Sequence, residues 1–314
     1  MNLSRAVKQK AVELGFDLVG ITTAEPIDPA QVKYLSSWLK NGRAGRMDYM
    51  HKNFEKRINP ARLLKNAQSV ICVGLNYKPL IDSIPQKPTT PAGLVANFAL
   101  YRDYHDFMKE RLSRLADFLS ESTDTPCRFK CCVDSAPLAE RALAARAGLG
   151  FIGKNHMLIN PGLSPQILLG ELLTDIKLEP DRPVQQTCSG CDKCISACPT
   201  GALSPDGGFD ANKCISYLTI EYGGDVPADL AGKMDAHLFG CDECILACPY
   251  NEKAPARTNK DFEFHSRWKY LDLNRTLQLT EQEFNSEFAG SSLIRPGLEK
   301  LKRNARTCLN NITA

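Results

Sequence analysis

Apolar and polar residues alternate along the first part of the chain with two recurring periods. Apolar positions at helical spacing from Leu3 to Leu14, followed by Gly15, predict a first helix over residues 3–14. The same spacing predicts further helices over residues 29–41, 105–122 and 140–148. Short runs rich in β-branched and other apolar residues predict buried strands over residues 17–23, 69–77 and 127–134, with one or two more over 165–178.

Strands that alternate with helices and are almost continuously apolar predict an α/β (α+β) fold, in which helices cover the sheet. This domain is expected to span residues 1–180. Residues 181–255, which are rich in cysteine, form a second predicted domain. Residues 256–314 form a short helical tail with amphipathic stretches at 277–289 and 297–310.

Composition and charge change this picture little. Hydrophobic residues make up 43% of the chain and the formal net charge is +3, as in a globular protein that is not a polycation. A basic patch near the end predicts either a contact surface or a solvated helix face. Its cations are Arg295, Lys300, Lys302, Arg303 and Arg306. The chain has neither an N-terminal signal core nor an apolar run that could cross a bilayer, so we expect a cytoplasmic protein with no membrane partner.

The cysteines give the strongest chemical signal, because most of the 13 lie in two linked runs. The first run has the spacing C-x2-C-x2-C-x3-C-P of bacterial ferredoxins, whose fourth cysteine binds the other of two clusters. The second run, C-x2-C-x3-C-P, is one cysteine short, and Cys214 is its natural replacement. The predicted ligands are Cys188, Cys191, Cys194 and Cys248 for one 4Fe–4S cluster, and Cys198, Cys214, Cys241 and Cys244 for the other. A pair of zinc sites is the alternative, which the doubled pattern disfavours.

Asp134 is the second chemical candidate. It closes the apolar run FKCCV and precedes Ser135 and Pro137, a sequence typical of entry into a helix. A carboxyl group at the end of a strand lies where α/β folds place their active sites. Apolar surroundings would raise the pKa of Asp134 and keep a transferable proton on it. The alternative, which spacing alone leaves open, is that Asp134 only caps the next helix.

Other polar features favour structural roles. The G-x-G-x-x-G pattern over residues 148–153 follows a helix instead of a strand, so it predicts a tight loop close to some flat ligand other than a dinucleotide. Cys131 and Cys132 point to opposite faces of a strand and cannot easily share one metal ion. The predicted core cysteines are Cys72, Cys127, Cys131, Cys132 and Cys308. His105 and His156 could be cofactor ligands, but single histidines favour a structural role.

Several motifs together resemble the epoxyqueuosine reductase family. They are MDYMHKNFEKRINP, YRDYH, VDSAPLAERALAARAGLGFIGKN and CISYLTIE, with the whole cysteine pattern. The set is highly specific, because it combines D-S-x-P-x-x-E-R and G-x-x-G-K-N elements with two cluster motifs in a fixed order. The resemblance covers residues 1–255 and continues more weakly, so that the tail resembles a truncated start of the helical HEAT-like repeats of many members.

The resemblance implies a cobalamin cofactor beside two 4Fe–4S clusters. It also implies the last step of queuosine biosynthesis, in which the epoxide of epoxyqueuosine at the tRNA wobble position is reduced to queuosine. Low-valent cobalt would attack the strained epoxide, and Asp134 matches the family's proton donor. The residues that match cobalamin contacts, or would face the corrin from the cluster segment, are Arg57, Asn97, Asp134, Lys154, Asn155, Leu158, Leu169, Ser216, Gly240 and Cys241.

For tRNA, Tyr222 is a candidate to stack on an unpaired base, and Lys302 and Arg303 are candidates for backbone contacts. An electron donor of flavodoxin or ferredoxin type is implied, and we expect a monomer. Core packing is the alternative role for Leu158 and Leu169. Two other functions stay open: a reductive-dehalogenase-like cobalamin reductase of a small molecule, and a two-cluster electron-transfer protein.

Overall fold

The computed structural model describes residues 2–313. Its α-helices are α1 (Leu3–Glu13), α2 (Pro29–Lys40), α3 (Asp48–Lys52), α4 (Phe54–Ile58), α5 (Tyr104–Glu121), α6 (Glu140–Arg146), α7 (Lys193–Ser196), α8 (Ile215–Ile220), α9 (Ala228–Ala231), α10 (Glu243–Leu246), α11 (Pro249–Lys253), α12 (Leu273–Gln278), α13 (Glu281–Glu287) and α14 (Leu298–Thr313). Its strands are β1 (Leu18–Thr23), β2 (Ser69–Asn76), β3 (Ala92–Val95), β4 (Phe129–Cys132), β5 (Phe151–Ile152), β6 (Leu158–Ile159), β7 (Ile167–Thr174), β8 (His237–Phe239) and β9 (Tyr270–Asp272). Across this range, no helix has both the length and the apolar character that a membrane span requires.

The main sheet has the strand order β1-β2-β7-β4, and every neighbouring pair is antiparallel. Every residue of β2 is buried, because α1 and α5 cover one face of the sheet and α6 covers the other. A strand covered on both faces needs apolar side chains on both, which accounts for the continuous apolar runs. The predicted α/β (α+β) class is confirmed, and the runs reflect burial on two faces.

The strand predicted over residues 127–134 is shorter in the structure, where β4 pairs with β7 only from Phe129 to Cys132. Asp134 therefore lies in the loop beyond the sheet. Cys132 packs in the core on the α6 side and Cys131 against the core on the opposite side, as the strand alternation predicts. Cys127 is a correction, because it is only partly buried ahead of the strand.

The cysteine-rich segment consists of short helices joined by turns. The four-residue helices α7 and α10 each carry the cysteine that lies four residues before the last cysteine of its run, Cys194 and Cys244, and they pack against each other. Helix α11 begins at Pro249, directly after Cys248. The two cysteine runs thus form a repeated structural unit, as their doubled spacing indicates.

A smaller sheet, of order β8-β3-β9, connects the three predicted domains. Strand β3 belongs to residues 1–180 and pairs in parallel with β8 from residues 181–255. On its other side β3 pairs antiparallel with β9 from residues 256–314. The three-domain division stays a prediction, and the three segments share this sheet.

Candidate active site

Asp134 occupies a tight turn at the end of the main sheet. Its φ angle is +51°, in the left-handed region, and across it Ser135 donates its backbone N–H to the carbonyl of Val133 at 2.5 Å. Holding such a residue costs roughly 1–3 kcal/mol, so the conformation persists only where the surroundings stabilise it. Helix α6 begins at Glu140, with Ala139 as the flanking residue. Asp134 therefore does not cap this helix.

The side chain of Asp134 is paired with His105. His105 Nε2 lies 3.3 Å from Asp134 Oδ2, and His105 Nδ1 lies 2.7 Å from Asp103 Oδ1. Burial lowers the pKa of His105, but the bonds to the two carboxylates outweigh burial and raise this pKa to about 9. At neutral pH His105 is therefore an imidazolium ion between two carboxylates.

This pairing reverses the pKa shift that the sequence predicts for Asp134. The hydrogen bond with His105 lowers the pKa of Asp134 by more than partial burial raises it. Arg295 Nη1, 4.0 Å from Asp134 Oδ2, and the Tyr104 hydroxyl act in the same direction. The prediction that Asp134 has apolar surroundings is wrong, because these polar groups lie around its carboxylate. The proton at this position is held by His105.

Two glutamates lie behind Asp134. Glu140 Oε1 accepts the backbone N–H of Asp134 at 2.6 Å, and burial, followed by the charge of Asp134, raises the pKa of Glu140 to about 7. A hydrogen bond to an ionised carboxylate contributes roughly 1.5–3 kcal/mol, which is similar to the strain at Asp134. Glu171 is fully buried in β7 opposite Cys72 and Cys132, and neither of its carboxyl oxygens has a hydrogen-bond partner within residues 2–313.

The surroundings of Glu171 favour its protonated form. Burial raises its pKa well above the ordinary value, and the adjacent carboxyl group of Glu140 raises it further. Two buried carboxyl groups so close together do not both ionise near neutral pH. The site thus has a neutral carboxyl at Glu171 and a titrating one at Glu140.

The cysteines of the two runs lie in two groups of four thiols. Within each group burial raises thiol pKa values, and the neighbouring thiols raise them further. The groups are Cys188, Cys191, Cys194 and Cys248, and Cys198, Cys214, Cys241 and Cys244. Each group has four thiols, and one of the four comes from the opposite run. A pair of 4Fe–4S clusters takes this set of donors. The donor chemistry of this segment fits two such clusters.

The glycine-rich loop is a short hairpin in which β5 pairs antiparallel with β6. A Cβ atom on Gly150 would lie 2.3 Å from a carbonyl oxygen of the opposing strand, so this close approach requires glycine. The hairpin faces the cysteine-rich segment. Asn155 Nδ2 donates to the carbonyl of Cys244 at 3.2 Å, and Lys154 forms an ion pair with Asp192.

Three other predicted cofactor residues line the α6 side of the main sheet. Leu158 is buried in the core there and Leu169 packs against this core, as the packing alternative predicts. Arg57 donates from Nη1 to the carbonyl of Leu138 at 3.2 Å. Its Nε is buried and has no hydrogen-bond partner within residues 2–313. Of these three residues, Arg57 is the one whose side chain has a polar atom without a hydrogen-bond partner in the described part of the chain.

Asn97 is buried, and its side chain is already hydrogen-bonded at both ends. Its Nδ2 donates to Gln166 at 3.1 Å, and its Oδ1 accepts from Lys269 at 2.8 Å. Its backbone N–H donates to Asp242 Oδ2 at 2.6 Å, which ties it to the residue after Cys241. The side chain of Asn97 therefore joins parts of the protein to each other.

The remaining cofactor candidates lie in the cysteine-rich segment. Ser216, in the first turn of α8, interacts with the thiol of Cys214. Gly240 has a φ angle of +70°, and a Cβ atom there would lie 2.6 Å from Ala96 Cβ. Gly240 thus allows the segment before Cys241 to approach the larger domain closely.

The basic patch near the C-terminus is hydrogen-bonded to residues 218–224, which are the end of α8 and the loop after it and are called the loop 218–224 below. Arg303 donates to the backbone carbonyls of Leu218, Tyr222 and Gly224, and Lys300 Nζ donates to that of Ile220 at 2.7 Å. Tyr222 is half-buried, with the Arg46 guanidinium 5.2 Å from its ring centre. Lys302 is half-exposed. The guanidinium of Arg303 donates its hydrogen bonds within the protein, whereas the side chains of Tyr222 and Lys302 are partly exposed.

Comparison with known proteins identifies the family. The family model described as "Epoxyqueuosine reductase QueG, DUF1730" matches residues 57–135, and the model of a 4Fe-4S double cluster binding domain matches residues 187–251. Epoxyqueuosine reductase from Vibrio cholerae is 35% identical over 312 residues, which cover 98% of this chain and 83% of that protein. This chain belongs to the epoxyqueuosine reductase family.

Solved epoxyqueuosine reductases share its fold. The structure from Streptococcus thermophilus superposes with a TM-score of 0.91 at 32% identity and covers 100% of this chain and 82% of that one. A crystal structure of epoxyqueuosine reductase with an epoxyqueuosine-modified tRNA-Tyr stem loop has a TM-score of 0.90 at 32% identity, with coverages of 98% and 81%. The chain is thus an oxidoreductase with an iron–sulfur segment, which decides against the zinc alternative and the plain electron carrier.

Sequence reasoning missed three residues of this epoxyqueuosine reductase. His105 was assigned a structural role, although its motif, YRDYH, places it two residues after an aspartate at a helix start, where both side chains can meet. Glu171 is a lone acid within the apolar strand ILLGELLT, and such residues are almost never fully buried unless paired. Glu140 gave no comparable signal, because a glutamate in the first turn of a helix is common.

Proposed function

We propose that this epoxyqueuosine reductase removes the epoxide oxygen of epoxyqueuosine at the wobble position of tRNA and leaves queuosine. The observation that carries the proposal is the hydrogen-bonded row of Asp103, His105 and Asp134, which holds a transferable proton beside the sheet. The similarity to an epoxyqueuosine reductase that carries a modified tRNA stem loop supports the same substrate.

The reaction takes up two electrons and two protons at one epoxide oxygen, which leaves as water. Cobalamin, when bound, supplies a low-valent cobalt nucleophile for the epoxide carbon. Asp134 delivers protons to the leaving oxygen, first as the ring opens and again as the hydroxyl departs. His105 resupplies Asp134 through Nε2, and Asp103 holds Nδ1 so that the ring stays aimed at Asp134. The row thereby keeps a proton on His105, from which Asp134 takes it during turnover.

The electrons arrive through two 4Fe–4S clusters. The ligand sets that we propose are Cys188, Cys191, Cys194 and Cys248, and Cys198, Cys214, Cys241 and Cys244. A donor of flavodoxin or ferredoxin type would reduce them one electron at a time. We further propose that the protein acts as a monomer in the cytoplasm.

The residues around the glycine-rich hairpin fit a cobalamin. The unpartnered Arg57 Nε needs an acceptor, and the amide groups at a corrin edge are suitable ones. Leu158 and Leu169 offer an apolar contact, and Lys154 and Asn155 lie where the hairpin meets the cysteine-rich segment. From that segment Ser216, Gly240 and Cys241 complete the proposed set, and Asn97 would contribute through its backbone because its side chain is occupied.

We propose that tRNA contacts come from the surface around the loop 218–224. Tyr222 would stack on a base, and its position depends on the Arg303 bond to its carbonyl. Lys302 would contact phosphate. Arg303 would then act on tRNA by holding this loop.

Replacement of Asp134 by asparagine tests the proposal. Asp134→Asn removes the carboxylate that passes the proton of His105 to the leaving oxygen, so we expect turnover to fall by roughly 10²- to 10⁴-fold. Iron content and cobalamin binding should be unchanged, and Asp106→Asn, an exposed aspartate in the first turn of α5, is the matched control. Turnover is measured by nucleoside analysis of epoxyqueuosine-containing tRNA with the reconstituted protein. An Asp134→Asn protein as fast as its parent would remove Asp134 from the chemistry.

A further inference from the structure

The turn that carries Asp134 lies between two regular elements and depends on outside support. The ladder of β4 ends at Cys132 and α6 begins at Glu140, so the intervening backbone has no regular hydrogen-bond partners. The left-handed φ of Asp134 makes this turn strained. The backbone N–H of Asp134 donates to Glu140 Oε1 at 2.6 Å and thereby connects the turn to the helix.

Glu140 is a fixed acceptor, because its helix is well anchored. Ala139, directly before it, donates its backbone N–H to the carbonyl of Arg57, and Leu143 and Ala144 on the same helix are buried in the core beneath. The carboxyl of Glu140 is therefore held in place by a packed element, while the turn it contacts is strained. A bond from a rigid helix to a strained turn determines which conformation the turn keeps.

Glu171 has no evident structural reason to be a glutamate. Its side chain lies in the core among apolar residues, and a leucine there would avoid the cost of burying an unpartnered carboxyl group. The charged groups that affect it are Glu140 and Asp134. A protonated Glu171 is neutral, so the negative charge of the pair Glu140 and Glu171 lies on Glu140.

We propose that Glu140 is a positioning residue that holds Asp134 in its strained turn, and that the buried Glu171 retains the proton of the pair so that Glu140 stays a charged acceptor. This inference rests on the proposed role of Asp134 as the acid. It assigns a role to two carboxyl groups that the reaction itself does not use.

The proposal implies a pH dependence with a definite sign. The pKa of Glu140 is raised to about 7, so its carboxylate is present above neutral pH and is lost as the pH falls through 7. The hydrogen bond from the Asp134 N–H to Glu140 should therefore weaken on the acid side, where the repulsion between the two carboxylates is also relieved. The charged and titratable groups that face Glu140 are Asp134 on the turn, Arg57 on α4, Arg141 on α6, Tyr104 on α5 and Glu171 on β7.

Hydrogen exchange tests the bond in the protein with its clusters in place. In Glu140→Ala the amide of Asp134 loses its acceptor, and we expect it to exchange at least about tenfold faster, as about 1.4 kcal/mol of lost stabilisation implies. Glu140→Gln keeps a neutral acceptor oxygen, so at pH 8 its exchange rate should lie between those of the parent and Glu140→Ala. Glu281→Ala is the matched control, because Glu281 likewise opens a seven-residue helix. Unchanged exchange in Glu140→Ala would overturn the proposal.

Turnover separates positioning from a structural effect. With a misplaced acid, Glu140→Ala should lower kcat by about tenfold or more while KM stays within about twofold, and Glu140→Gln, with a neutral acceptor, should restore only part of kcat at pH 8. If Asp134→Asn proves fully active, the proposed acid is wrong, and the exchange result still reports on the turn. If Asp134→Asn is inactive and Glu140→Ala keeps its kcat, the positioning role alone fails.

Infrared spectroscopy tests the part played by Glu171. At pH 7 the parent should show the carbonyl band of a protonated carboxyl group that is absent from Glu171→Gln. In Glu171→Gln the Asp134 amide should stay protected at pH 8, because glutamine is neutral like the protonated glutamate. A parent spectrum without this band would mean that Glu171 is ionised, and the proton-holding role would be abandoned.

Discussion

At the scale of single residues, the acid chemistry depends on a row of three side chains and not on one carboxyl group. An isolated aspartate at neutral pH has no proton to give, and the hydrogen bond with His105 makes Asp134 more acidic still. The imidazolium of His105 supplies what the aspartate lacks, because two carboxylates hold its proton well above the pH at which histidine usually loses it. The pair can therefore deliver a proton while Asp134 rests as a carboxylate.

The alkaline limit of turnover should report the ionisation of His105. Its pKa in the folded protein is about 9, above the ordinary value of 6.5, so the imidazolium is fully present below 6.5 and is lost as the pH rises through 9. Asp103→Asn removes one of the two carboxylates, and we expect the alkaline fall of kcat/KM to move to lower pH by roughly one to three units. The measurement is the pH profile of kcat/KM at saturating reductant.

Asparagine caps helices as well as aspartate, so Asp103→Asn keeps the start of α5 intact. Asp272→Asn is the matched control, since Asp272 caps α12 in the same way and lies outside the row of Asp103, His105 and Asp134. An alkaline limit that is the same in both variants as in the parent would exclude His105 as the proton source.

At the scale of elements, the periodic pattern was sufficient to locate helices and strands but not their partners. The runs at β2 and β7 are apolar on both faces, and this predicts burial without stating that the two strands pair antiparallel. The position of Asp134 outside the sheet follows from where the β4 ladder ends, at the pair Cys132 and Glu171, although β7 itself extends to Ile167. Likewise the basic patch was visible as charge, whereas the carbonyls of the loop 218–224 that Arg303 satisfies are distant in sequence.

The two neighbouring cations of α14 should behave differently towards tRNA. Arg303→Met removes the donors that fasten the loop 218–224, so we expect a melting temperature several degrees lower, from a loss of roughly 1.5–3 kcal/mol, and weaker stem-loop binding with unchanged salt dependence. Lys302→Met should leave the melting temperature nearly unchanged and reduce the slope of log K against log salt concentration by about 0.7–0.9.

Thermal melts and fluorescence anisotropy across a salt series measure both effects. The two variants control for each other, because they are adjacent cations changed to the same residue. A reduced salt slope in Arg303→Met without a change in melting temperature would mean that Arg303 contacts phosphate directly.

At the scale of the whole molecule, a buried polar network lies where the three segments meet. Lys269, from the C-terminal segment, donates to the carbonyl of Val95 at 3.0 Å and to Asn97 Oδ1 at 2.8 Å. Asn97 in turn donates to Asp242, next to a proposed cluster ligand. Burial raises the pKa of Asp242, and the charge of Lys269 and the bond from Asn97 lower it. The network accompanies the small β8-β3-β9 sheet, and through its hydrogen bonds Asn97 links the three segments.

Lys269→Met should weaken this junction, because it leaves the buried carbonyl of Val95 and Oδ1 of Asn97 without their donor and removes a positive charge near Asp242. Each buried acceptor left without a partner costs roughly 1–3 kcal/mol, so we expect the melting temperature of the protein with its clusters to fall by several degrees or more. Lys233→Met, at an exposed lysine of the same half of the chain, should have almost no effect. Differential scanning calorimetry measures the shift, and iron content reports whether the neighbouring cluster survives.

Adding Asp242→Asn to Lys269→Met tests whether an unpaired charge on Asp242 causes the loss of stability. If Lys269→Met destabilises because Asp242 keeps an unpaired charge, then Lys269→Met combined with Asp242→Asn should recover part of the lost melting temperature. Asparagine still accepts the backbone N–H of Asn97 through its side-chain oxygen, so the bond at that position is retained. A double variant that melts no higher than Lys269→Met would assign the loss to the lysine's own bonds with Val95 and Asn97. The segments would then be joined by those hydrogen bonds, and the charge of Lys269 near Asp242 would contribute nothing measurable.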